Sequence, residues 1–103
     1  MFGKLGDMMG KIQEAKKQME ETKAKLETME VESESADGSV KIVLNGNRKI
    51  KSLKISEQLQ SGSKEALEKE LISQLTLAME KADAMNEAEM KKVAMGMLPG
   101  GMF

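Results

Sequence analysis

From Leu5 onward the apolar positions run Leu5, Met8, Ile12, Ala15, Met19, Thr22, Leu26 and Met29, in alternating steps of three and four. This spacing is the seam of a helix that packs along a narrow stripe, and it constrains the fold more than any other feature. Charged flanks fit the same helix, with Lys11, Lys16, Lys17, Lys23 and Lys25 set among Glu14, Glu20, Glu21 and Glu27. Asp7 complements the dipole near the start, and Lys23 and Lys25 do so near the end. The spacing predicts a first helix over 5–29, about 37 Å long at 1.5 Å per residue. A seam of that length needs a partner.

Beyond Met29 the period changes to two. Val31-Glu32-Ser33-Glu34-Ser35 alternates, Asp37-Gly38 is a hairpin turn signal, and Val40-Lys41-Ile42-Val43-Leu44 alternates again. That turn sets Ser35 opposite Val40, Ser33 opposite Ile42 and Val31 opposite Leu44, with Glu34 opposite Lys41 on the other face. Asn45-Gly46-Asn47 is a second turn signal, followed by Ile50 and then Leu53-Lys54-Ile55. Ile50 has the wrong parity to share a face with Leu53 and Ile55. Either the connection is long, covering 45–50, or a bulge intervenes. The long loop is favoured because it pairs Ile42 with Leu53 and Val40 with Ile55.

Ser61-Gly62-Ser63 breaks the chain, and Ser63 is an N-cap with Glu65 in the first turn. A second helix is predicted over 63–95, with a stripe of Leu67, Leu71, Leu75, Ala78, Ala82 and Met85, and then a Gly/Pro tail over 96–103. The 103 residues make one domain, 1–103, with strands across 30–56. Fold class is α+β: helix, three-stranded antiparallel sheet, helix. The second helix can cover the sheet, so the first helix or a sheet edge is left to meet another copy. A two-fold homodimer satisfies both needs, with Leu5, Met8, Ile12, Met19 and Leu26 as its expected interface. Methionine on that seam suits irregular packing.

Composition excludes much chemistry. The chain has no Cys and no His, which removes thiol nucleophiles, imidazole acid–base work and the usual zinc sites. No phosphate-binding Gly-Lys-Ser/Thr loop follows a strand. Carboxylates lie on polar helix faces or in the alternating strand, so no catalytic residue, metal site, cofactor or small-molecule substrate is expected. The 11 methionines read as core and interface filler rather than soft-metal ligands. Only Phe2 and Phe103 are aromatic, too few for a platform that stacks single-stranded bases. No apolar run reaches the roughly eighteen residues of a membrane span, and a cytoplasmic protein is expected.

With 16 basic and 17 acidic residues, any binding of nucleic acid must come from clustering rather than total charge. Residues 27–37 carry Glu27, Glu30, Glu32, Glu34 and Asp37 with no base, and 41–54 carry Lys41, Arg48, Lys49, Lys51 and Lys54 with no acid. Arg48, Lys49 and Lys51 fall at the second connection, where long cationic side chains reach phosphates. Lys41 and Lys54 read better as a cross-strand charge ladder with Glu34. Lys11, Lys16 and Lys17 are candidates on the first helix, although they also serve as coiled-coil flanks. Lys91 and Lys92 are candidates on the second, although the helix dipole explains them equally well. Nothing resembles a recognition helix aimed at base edges, so binding of low sequence specificity is expected.

Several stretches together resemble the YbaB/EbfC family along nearly the full chain. They are the opening Met1-Phe2-Gly3-Lys4 with Met8-Met9 and Gln18-Met19, Val40-Lys41-Ile42-Val43-Leu44-Asn45-Gly46 against a V-x-V-x-I-N-G pattern, Leu53-Lys54-Ile55 with Leu59, and the closing Gly96-Met97-Leu98-Pro99-Gly100. Ser56-Glu57 stands where the family shows Asp-Pro, which implies a looser strand exit. The resemblance implies an α-β-β-β-α homodimer in the cytoplasm and nucleoid that binds double-stranded DNA and alters its shape, without catalysis. The competing reading is a prefoldin-like chaperone or adaptor with Met-rich helices, against which the helices are short for client-holding arms.

Overall fold

Period-two alternation and two turns produce the sheet, and the longer helix folds back over it. The computed structural model describes the backbone of residues 2–97 and the side chains of 5–96. In chain order the elements are α1 (Phe2–Thr28), β1 (Glu30–Glu34), β2 (Val40–Asn45), β3 (Ile50–Ile55), α2 (Glu57–Gln60) and α3 (Lys64–Met97). The sheet is antiparallel in the order β1-β2-β3. This is the expected α+β plan with one short helix added.

Registers follow from the alternation. Val31 faces Leu44, Ser33 faces Ile42 and Glu34 faces Lys41. The first turn is held by Asp37, whose Oδ1 accepts from the Ser39 N–H at 3.0 Å and the Ser35 hydroxyl at 2.9 Å. Gly38 takes φ +74°, a conformation that costs a glycine little. On β3, Val40 pairs with Ile55 and Ile42 with Leu53, as the alternation requires. The long 45–50 connection is not what achieves this. A register shift pairs Val43 with Ser52 but Leu44 with Ile50, so Lys51 is the extra residue of a bulge. The bulge returns Ile50 to the inner face and resolves its parity within a tight turn.

The strand exit is ordered rather than loose. Ser56 caps α2, its hydroxyl accepting from the Leu59 N–H at 3.2 Å, so Ser-Glu supplies a helix start where the family pattern has Asp-Pro. Ser63 then caps α3 through the Ala66 N–H at 3.0 Å. The helix runs through Gly96 to Met97, past the predicted end at 95, since one glycine costs a helix only about 1 kcal/mol. The rest of the tail, 98–103, lies outside the described residues.

Val40, Ile42 and Leu44 are fully buried beneath Ala78 and Ala82 of α3, with Val31, Leu59, Leu71 and Leu75 around them. Two alanines at the centre let the helix lie close to the strands. Burying three branched side chains contributes about 1.5–3 kcal/mol each. At the β1 side the contact turns polar, where the buried Ser33 hydroxyl donates to Gln74 Oε1. Lys81 Nζ donates to the Glu32 carbonyl at 2.7 Å, which blunts the β1 edge. Among the described residues the β3 edge has no such cover. Its inward-pointing Ile50 and Leu53 remain 56% and 47% exposed.

Past the sheet, the second half of α3 packs on α1, and together they draw the molecule out to 70 × 23 × 18 Å. The α1 seam changes partner along its length. Leu26 is fully buried and belongs to its own chain's core, so it leaves the set of residues available to a second subunit. Leu5, Met8, Ile12 and Met19 are exposed.

Candidate nucleic-acid interface

The second hairpin is where cationic side chains were expected to gather. Its turn is closed by Asn45, whose N–H donates to the Lys49 carbonyl at 2.9 Å and whose carbonyl accepts from the Arg48 N–H at 3.0 Å. Arg48 therefore sits at the left-handed position that ends such a three-residue loop, with φ +67°. That conformation costs a non-glycine residue roughly 1–2 kcal/mol.

The same hairpin terminates α1. The Gly46 N–H donates to the carbonyls of Leu26 and Met29, both at 2.9 Å, which satisfies two orphan acceptors at the helix end. Asn47 Nδ2 reaches the Lys23 carbonyl at 3.0 Å and Glu27 Oε2 at 2.7 Å, and Asn86 Nδ2 of α3 reaches the Gly46 carbonyl at 3.0 Å. One tight turn thus ties together both long helices.

Two of the three hairpin cations are held in ion pairs. Arg48 Nε pairs with Asp83 of α3, and Lys49 Nζ pairs with Glu27 of α1 at 3.1 Å. The Asn47 amide and the Lys49 ammonium together hold the Glu27 carboxyl below the usual range. Both pairs are substantially exposed, so each contributes little to stability and can exchange partners. Lys51, at the bulge, has no acid within ion-pair distance among the described residues. A cleft of about 600 Å³ lies between the hairpin and the helices, lined by Lys23, Ala24, Glu27, Asn47, Arg48, Lys49, Asn86 and Met90. Lys23, which sequence reasoning assigned to the helix dipole, is brought there by the fold.

On the sheet's outer face, Lys41 pairs diagonally with Glu32 at 3.8 Å and stands directly opposite Lys54. The ladder reading of Lys41 fits, with Glu32 rather than Glu34 as its acid. Lys11, Lys16 and Lys17 are exposed on α1 but do not form one patch. Lys11 turns toward the end of α3, lining a cleft of about 350 Å³ with Ile12, Glu14, Ala15, Gln18 and Gly96. Lys16 and Lys17, one residue apart, diverge by about 100°. Lys91 is exposed and Lys92 is drawn to Glu89.

Among the described residues Glu89 is the one buried carboxylate, held by Lys25 of α1 and Lys92 of α3, each at 3.3 Å. Burial opposes its charge, yet hydrogen bonds from the two ammoniums outweigh that and keep the carboxyl below the usual range. A carboxyl depressed in the folded state leaves the unfolded chain binding more protons as pH falls. The stabilisation from this clasp is complete at neutral pH and is lost from the ordinary glutamate range downward, through the depressed value. Between pH 7 and 3 the thermal midpoint of Glu89→Gln is expected to fall less than that of the unaltered protein. Parallel declines would assign the acid sensitivity to Glu27 and Asp37, whose carboxyls are depressed too.

Among the described residues no cluster of acids is arranged to hold a metal ion, and no helix is long and apolar enough to cross a membrane. Comparison with known proteins agrees with the sequence resemblance. The chain is 42% identical to a nucleoid-associated protein of Flavobacterium johnsoniae over 90% of each sequence. It is 34% identical to a nucleoid-associated protein of Hahella chejuensis over 92% of this chain and 88% of the relative. Its fold matches the crystal structure of an uncharacterized Helicobacter pylori protein with a TM-score of 0.65 and 26% identity, over 84% of this chain and 98% of that one. The model of the YbaB/EbfC DNA-binding family matches residues 1–97, and the chain belongs to that family.

Proposed function

We propose that this protein is a cytoplasmic nucleoid-associated protein that acts as a homodimer, gripping double-stranded DNA through phosphates with little sequence preference. The observation that carries the reading is the match of residues 1–97 to a DNA-binding family, in a chain whose fold brings Lys23 of α1 beside Arg48 and Lys49 of the second hairpin. Seven residues return a helix to nearly the same side, and Asp7, Glu14 and Glu21 share one line. Two residues turn it by about 200°, so Met9, Lys16 and Lys23 share the opposite line. Glu20 and Glu27 stand one turn beyond Lys16 and Lys23 on that line, which ends at the cleft beside Arg48 and Lys49. A binding protein of this kind performs no catalytic step.

The uncovered inner face of β3 supports dimerisation. Ile72 and Met79 lie on the flank of α3 that also carries Asp83 and Asn86, which reach the second hairpin, so this flank turns toward β3. Ile50, Leu53, Ile72 and Met79 are all exposed large apolar side chains on that side of the molecule. A second copy meeting it about a two-fold axis would bury this surface and set two basic arms on one particle.

Random-sequence duplex DNA is expected to shift with an affinity that falls steeply between about 50 and 200 mM salt. Charge reversal at Lys16, Lys23 and Lys49 is expected to weaken binding at least tenfold, flatten the salt slope and leave the dimer intact. Salt-indifferent binding, or an unchanged slope in that variant, would remove phosphate contact from the mechanism.

A further inference from the structure

Neutral hydrogen bonds already fasten the second hairpin to both long helices. They run from the Gly46 N–H to the Leu26 and Met29 carbonyls, from Asn47 to the Lys23 carbonyl and from Asn86 to the Gly46 carbonyl. The ion pairs of Arg48 with Asp83 and of Lys49 with Glu27 are therefore not needed to hold the turn, and exposed pairs add little to stability. Arg48 moreover occupies a left-handed position, φ +67°, that glycine or asparagine adopts more readily. A backbone outlier kept for so little structural gain points to a role for the guanidinium itself.

Glu27 and Asp83 approach the hairpin from different helices, α1 and α3. Each meets one cation of the turn through a carboxylate oxygen, the contact that a phosphate oxygen would make with the same guanidinium or ammonium. Glu27 is also steadied by Asn47 Nδ2 at 2.7 Å, so it stays in front of Lys49. A carboxylate tethered in this way competes at high effective concentration with any anion arriving from solution.

We propose that Asp83 and Glu27 are internal stand-ins for DNA phosphates, which keep Arg48 and Lys49 closed until a polyanion displaces them and so hold the affinity for DNA down. The inference rests on the phosphate-binding reading of this hairpin and adds the residues that set its strength. Salt screens these exposed pairs as well as the phosphate contacts. Rising salt thus loosens the masks while it weakens the grip, which makes the salt dependence flatter than that of a protein without them.

Asp83→Asn combined with Glu27→Gln keeps both side-chain shapes and removes both charges. This variant is expected to bind random-sequence duplex about tenfold more tightly at about 50 mM salt, with a steeper salt slope. Its thermal midpoint should move by less than about 3 °C, because exposed pairs contribute little. Removing any acid strengthens binding slightly through the long-range field, so a control is needed. Glu87, one turn beyond Asp83, is exposed and joins no ion pair among the described residues. Glu87→Gln should gain less than about twofold. In an Arg48→Gln background, Asp83→Asn should then gain no more than this control. An equal gain with and without Arg48 would overturn the mask, since only a direct pair is coupled. A fall in the midpoint above about 8 °C would make the pairs structural props, and a change of particle mass would make them part of the subunit contact. Either result would overturn the mask and leave the nucleoid reading standing. No duplex binding by the unaltered protein or the variant would overturn the phosphate reading itself.

Discussion

Gly46→Ala is expected to destabilise the protein by on the order of 3 kcal/mol, at the upper end of the cost of overpacking. A Cβ at this position would stand 2.5 Å from Leu26 Cδ2 and 3.0 Å from both Leu26 Cβ and the Leu26 carbonyl oxygen. A methyl group at the end of a side chain can swing away, but Cβ and the carbonyl cannot. Moving the turn instead stretches the bonds from the Gly46 N–H to Leu26 and Met29, and the one from Asn86. The thermal midpoint should fall by about 15 °C at fixed protein concentration, and a fall under about 3 °C would show that the turn has slack. Leu26→Ala should cost about 2–5 kcal/mol alone, yet combining the two should cost clearly less than their sum, because each relieves the other. Strict additivity would mean that the two residues do not meet.

The second large effect is expected from Leu53→Glu. Leu53 is 47% exposed in the single chain, so a carboxylate there should leave the subunit folded. In an apolar contact between copies the same carboxylate is unpaired and desolvated, at a cost of several kcal/mol. Light scattering should then report 11.3 kDa in place of twice that mass. DNA affinity should drop by at least about a hundredfold, with the salt slope roughly halved, because one particle then carries one arm. A Leu53→Glu protein that keeps its mass would move the dimer contact to the exposed part of the α1 seam, Leu5, Ile12 and Met19. Lys81 makes the choice of edge credible, since it occupies the β1 edge and leaves β3 open.

Much of this architecture was legible in local pattern. Alternation in 31–35, 40–44 and 53–55 set which residues face which, because parity leaves a buried strand few alternatives. The bulge at Lys51 was not separable from a long loop, since either one restores the parity of Ile50. The short α2 had a signal in Ser56-Glu57, read instead as a departure from a family pattern. The candidate site was harder. Arg48 and Lys49 have no acid near them in sequence, and their partners Asp83 and Glu27 lie 35 and 22 residues away. Only the folded chain brings those charges together, so a run of uncompensated cations in the sequence became a pair of exchangeable ion pairs. The α1 seam misled in one place. Its heptad spacing is continuous from Leu5 to Met29, but spacing alone does not reveal that Leu26 is enclosed by its own hairpin while Leu5 is not.

The dependence of the α1 terminus on the second hairpin has a consequence for biosynthesis. The first helix leaves the ribosome with its last carbonyls unsatisfied, and Gly46, some twenty residues behind Leu26, must emerge before they find donors. Glu89, which clasps Lys25, follows only about forty residues after Gly46. During that interval the apolar seam is open to whatever is nearby, including another nascent copy on the same messenger. The first helix is therefore made before everything that secures it.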